Sequence, residues 1–86
     1  MNTVFLLMAQ YNGQAVIPLD KVREDFFASM DRQTFMRKIN NHKIDLPVVQ
    51  MEKSQKSARG VHLSDLATYI DARRQEATKI NDEYRE

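Results

Sequence analysis

Seven cations, Arg32, Arg37, Lys38, Lys43, Lys53, Lys56 and Arg59, stand between residues 32 and 59 against two anions, Asp45 and Glu52. Guanidinium and ammonium groups at that density are suited to neutralising a polyanion and donating hydrogen bonds to its oxygens. The flanks oppose the block, each summing to −2, so a formal net charge of +1 conceals a central +5. A merely solvated basic face is the plainer alternative, because charge fixes solubility and not partner. The cations fall in two clusters with different companions. Arg32, Gln33, Thr34, Arg37 and Lys38 form the first. There Arg37 suits bidentate bonding to guanine, Gln33 suits adenine or a phosphate, and the Thr34 methyl suits thymine. Lys53, Ser54, Gln55, Lys56, Ser57 and Arg59 form the second, rich in phosphate donors and free of bulky apolar groups. Phe35 is the one aromatic in the block and the core needs it, so base stacking on single strands is not the favoured mode.

Other chemistries are poorly supplied. His42 and His62 are far apart in sequence and the chain has no cysteine. A metal site needs three or four convergent ligands, so ordinary imidazoles are expected, with no metal and no cofactor. Ser54 and Ser57 flank Lys56, and a Ser–Lys pair can in principle make a nucleophile. A polar loop offers no apolar pocket to depress the lysine pKa, so phosphate contact is the better reading. With two glycines in the whole chain, a glycine-rich phosphate loop is not available. No enzyme is expected.

The elements that must position these groups follow from spacing. Asn2 or Thr3 caps a short helix over Val4 to Ala9, stopped by Asn12-Gly13. A buried strand is the alternative for this six-residue apolar run. Ala15-Val16-Ile17 reads as a strand ended by Pro18. Leu19 to Phe27 reads as a helix whose stripe is Leu19, Val22, Phe26 and Phe27. A turn at Ala28-Ser29-Met30 leads to Asp31, the N-cap of a second helix from Arg32 to about Asn41, with Phe35 and Ile39 facing inward. Leu46 to Met51 reads as a strand, Glu52 to Gly60 as a loop, and Val61-His62-Leu63 as the returning strand. Gly60 is there available for a positive φ in the turn. Ser64 then caps a long final helix beginning Asp65-Leu66. The expected fold is α+β, mainly α: a winged helix-turn-helix with a short β-hairpin wing and a long C-terminal helix. The helix over 32–41 would enter the major groove, and the wing over 52–60 would grip phosphates.

Eighty-six residues make one modest core. Residues 1–74 are expected to form the DNA-binding domain and residues 75–86 a helical extension. Positions 63, 70, 77 and 84 are seven apart, as are 66, 73 and 80, a heptad seam interrupted by Arg73. Ala77, Ile80 and Tyr84 on it have little core left to cover them, so a homodimer is expected, against the plainer reading of a solvated tail. No basic n-region or small-residue cleavage pattern marks a signal peptide, and no run approaches the roughly 18 apolar residues that span a bilayer. A cytoplasmic protein without membrane contact is expected.

Several stretches also carry a family resemblance. They are Asn2-Thr3 with Phe5 to Tyr11, Val16-Ile17-Pro18-Leu19, Leu46-Pro47-Val48-Val49, Ser54-Gln55-Lys56-Ser57-Ala58, Gly60-Val61-His62-Leu63, and Asp65-Leu66-Ala67 with Tyr69-Ile70-Asp71. Together these resemble the pyocin activator (PrtN-type) family over nearly the whole chain up to about Arg74. The order of elements is more loosely similar to phage excisionases and small AlpA-type activators, with Thr34 to Ile39 where their recognition helix lies. The resemblance implies a transcriptional activator of phage-tail-like bacteriocin (pyocin) or prophage genes that binds double-stranded promoter-proximal DNA; RNA polymerase is a candidate further partner, its direct contact left open. Two alternatives share the scaffold: an excisionase-like DNA-bending, recombination-directionality factor, and a protein–protein adaptor that binds no DNA.

Overall fold

The computed structural model describes residues 2–53 and 58–85. It is mixed α+β and mainly helical. Four helices, α1 (Thr3–Gln10), α2 (Leu19–Phe26), α3 (Arg32–Asn40) and α4 (Leu63–Glu83), surround a small sheet of β1 (Val16–Pro18), β2 (Val49–Gln50) and β3 (Arg59–His62). The sheet is antiparallel throughout, in the order β1-β3-β2. Ile17 lies opposite Val61, and Val49 opposite Gly60. The strand before the helix pair is thus tied to the hairpin after it, α2 packs against β3, and α3 packs against α2.

The N-terminal apolar run resolves as helix. Asn2 caps it by accepting the Phe5 amide at 3.0 Å. Asn12 and Gly13, with φ of 54° and 74°, end it in the left-handed conformation that asparagine and glycine tolerate best. Tyr11 then donates its hydroxyl to the Asp25 carboxylate at 2.6 Å, tying this turn to α2. Phe35, Ile17, Leu66, Val22 and Val61 are the largest fully enclosed side chains, and Leu7, Leu19, Ile39, Ile44, Leu46, Leu63 and Ala67 pack around them. Each helix therefore contributes one stripe to a shared core.

Five expectations need correction. Phe26 is exposed at the edge of α2: the helix ends there, and Phe27 leaves helical geometry and takes the inward place. The Phe27 ring packs on Phe35 with centroids 5.2 Å apart and on Tyr69 at 6.0 Å. The strand expected over Leu46–Met51 shrinks to Val49–Gln50, since Pro47 lacks an amide and Leu46 is used as a core plug. Gly60 does not turn the chain. It lies inside the central strand, where a Cβ would meet the Ile17 carbonyl oxygen at 2.5 Å and Val16 Cγ1 at 2.7 Å, so its job is close strand approach. Leu63 belongs to α4 and not to the strand. The cap of α4 is His62 and not Ser64: its Nδ1 accepts the Ser64 amide at 3.0 Å.

Candidate nucleic-acid interface

Sequence dictates how α3 is held. The Asp31 carboxylate accepts the Thr34 amide at 2.7 Å and a further hydrogen bond from the Thr34 side chain, which hold its pKa below the usual carboxylate range. Phe35 and Ile39, four residues apart, anchor the inner face. At about 100° per residue, the side opposite that anchor carries Gln33, Arg37 and Asn40, spaced four and three. All three are exposed. They form a polar row along a rigidly mounted helix.

The other first-cluster residues lie off that row. Arg32 is exposed and paired with Asp20 of α2 at 3.2 Å. Asp20, bonded first by Arg32 and then by Arg23, is held below the ordinary carboxylate range, and Arg32 is pushed upward in return. Part of the Arg32 charge is thereby answered within the chain, and the pair braces α2 against α3. Thr34 is half-buried and engaged at the cap. Lys38 is half-buried on a flank of the helix.

In the second cluster, Lys53 is exposed, while Ser54, Gln55, Lys56 and Ser57 lie outside the described residues. Arg59, half-buried opposite Gln50 on the hairpin, donates from Nη2 to Asn40 Oδ1 at 3.2 Å. This bond joins the end of α3 to the β2–β3 hairpin, and both of its residues line one open groove. Ile39, Asn40, His42, Asp45, Val48 and Arg59 are among its walls. Residue type and charge do not single out Asn40, although it stands three residues after Arg37 and seven after Gln33 on the same face. His42, at φ 56°, makes the left-handed turn that ends α3, a role with no sequence signal beyond histidine's mild tolerance of that conformation.

His62 spends a ring nitrogen on the α4 cap, and no group of three or more His, Cys, Asp or Glu that could hold a metal occurs among the described residues. None of the helices is long and apolar enough to cross a membrane among the described residues.

The model of the family described as pyocin activator protein PrtN matches residues 3–77. The chain belongs to that family. The match takes in α1, the sheet, α2, α3 and α4 as far as Ala77, and stops short of Ile80 and Tyr84. No curated protein and no solved structure matches the chain.

Proposed function

We propose that this protein is a sequence-specific, double-stranded DNA-binding activator of pyocin or related prophage genes, built as a winged helix-turn-helix. In this reading α2 and α3 are the helix pair, α3 reads the major groove, and the β2–β3 hairpin is the wing that contacts phosphate. The observation that carries it is the outward row Gln33, Arg37 and Asn40, on a helix whose other face is locked into the core and whose end is bonded to the hairpin through Arg59. A helix mounted this way can hold side chains to a base edge with little entropy left to lose. Family membership supports a role in pyocin regulation.

An activator must also meet the transcription machinery. Here α1 supplies a surface: no residue from Asn2 to Leu19 is charged, and Phe5, Leu6 and Met8 on its outer side are exposed. An apolar patch of this kind marks a protein contact, and RNA polymerase is the partner this reading gives it. Action on promoter DNA places the protein in the cytoplasm. The test is in-vitro transcription from a pyocin promoter with purified chain and polymerase. Phe5→Ser should keep DNA binding and lose activation. A rise in transcript equal to that of the unaltered protein would remove the α1 contact, and DNA bending without any rise would favour the excisionase-like reading.

A further inference from the structure

Only the first turns of α4 touch the core. Leu63, Leu66 and Ala67 are buried and Tyr69 and Ile70 half-buried, whereas every described residue from Asp71 onward is exposed. Thr3 of α1 donates to the Asp71 carboxylate, and beyond that bond the later turns of this 21-residue helix run on past the core, so that the molecule reaches 53 Å along its longest axis. Arg73, Ala77, Ile80 and Tyr84 recur every three to four residues along the projection, on the line that continues Leu66 and Ile70. Beside the root of that line lies an open apolar groove lined by Phe26, Phe27, Leu66, Tyr69, Ile70 and Arg73. One copy thus presents a stripe and a groove on the same face, and among the described residues no element of its own covers either.

Arg73 decides what fits. In a parallel in-register seam it would face Arg73 of the second copy, a like-charge contact in a partly desolvated place. In an antiparallel pairing centred between Ala77 and Ile80 that repulsion vanishes. Ala77 then layers against Ile80 of the other copy, small against large. Tyr84 meets Arg73, where ring face and guanidinium attract. A two-fold axis makes each of these contacts twice. We propose that the chain self-associates by antiparallel pairing of the projecting half of α4, with Tyr84 of each copy resting on Arg73 at the mouth of the groove of the other.

The contact is small. Phe26, Ile80 and Tyr84 are 37%, 46% and 83% exposed. With the groove walls they offer on the order of 500 Å² per copy, against about 800 Å² in a standard interface. Glu76 also approaches Glu83 of the second copy along one flank. Affinity in the micromolar range follows, to be reinforced when both copies hold one duplex.

The chain has no cysteine, so engineered ones report alone. Arg73→Cys and Tyr84→Cys are made separately, oxidised singly and as an equal mixture, without DNA. Same-position thiols would lie about 16 Å apart along the antiparallel pair, too far for a disulfide, which needs Cα atoms within about 7 Å. The expected result is a cross-linked dimer in the mixture alone. Self-cross-linking of each single variant, or no cross-link in the mixture, would overturn the arrangement. Sedimentation at tens of micromolar should give the unaltered chain twice its 10.1 kDa mass and Ile80→Glu the monomer mass. Equal masses would overturn the pairing outright. Neither experiment contains DNA, so its failure leaves the DNA-binding reading untouched.

Discussion

At the scale of single residues, exposed and enclosed positions of α3 should fail in different ways. Arg37 is exposed and Phe35 is 1% exposed. Arg37→Ala should therefore fold normally and lose on the order of 1–3 kcal/mol on the cognate duplex, with much less lost on random sequence. Equal losses on both, measured by fluorescence anisotropy, would assign Arg37 to the backbone. Phe35→Ala should instead cost about 3–5 kcal/mol of stability through the cavity it leaves, read by denaturant unfolding. Gly60→Ala should also cost stability, because the added methyl would press on the Ile17 carbonyl, which is backbone, as well as on Val16 Cγ1. Titration gives a further check. Asp20 and Asp31 have folded pKa values below the usual range, set by Arg32 with Arg23 and by Thr34 respectively. Groups depressed in the folded state stabilise it above their unfolded pKa, and that contribution disappears as pH falls through the lowered values. Stability should thus decline on the acid side below about pH 4, and Asp20→Asn should make that decline shallower in melts run from pH 6 downward. An unchanged acid limb would mean that the pairing of Asp20 with Arg32 and Arg23 contributes nothing to folding. Tyr11 runs the other way. Burial first, then its bond to Asp25, raises its pKa, so its contribution is complete below about pH 10 and is lost in stronger alkali.

Among the elements, the hairpin should supply affinity and α3 discrimination. Each phosphate neutralised adds about 0.9 to the magnitude of the slope of log K against log salt. A Lys53→Ala, Lys56→Ala double variant should flatten that slope by roughly two units and weaken cognate and random duplexes alike. Normal binding to random DNA would remove the wing assignment. Most elements were legible in advance because their signals are local. Asp31 followed by Phe35 and Ile39 defined α3, Asn12-Gly13 stopped α1, and the charge block located the candidate surface. What sequence did not reveal depends on tertiary neighbours. Gly60 looks like a turn residue until β1 is seen crossing beside it. His62 looks incidental until the β3–α4 corner places its ring over the Ser64 amide. Phe26 and Phe27 are indistinguishable as apolar letters, and only the fraying end of α2 decides which one turns inward. The Asn40–Arg59 bond joins residues 19 apart in sequence, and nothing in either neighbourhood announces it.

For the whole molecule, charge and apolar surface are divided among different regions. Among the described residues of the basic block, Arg32, Arg37 and Lys38 lie on α3 and Arg59 on β3, the uncharged α1 presents Phe5, Leu6 and Met8, and the acidic C-terminal region extends along α4. In the reading proposed above these are three surfaces with three partners: DNA, polymerase and a second copy. Such a division predicts separable defects. Phe5→Ser should spare DNA binding, and Ile80→Glu should spare binding to a single half-site while weakening a two-half-site duplex by lost avidity. The claim on which the others rest is sequence-specific duplex binding. It is tested most directly by titrating the full chain, at fixed salt, against a duplex from upstream of a pyocin gene cluster and against the same bases shuffled. Salt-dependent binding to both is expected, with the natural duplex preferred by roughly a thousandfold and that preference narrowed in Arg37→Ala. Equal affinity for the two duplexes, or no salt-dependent binding to either, would contradict it.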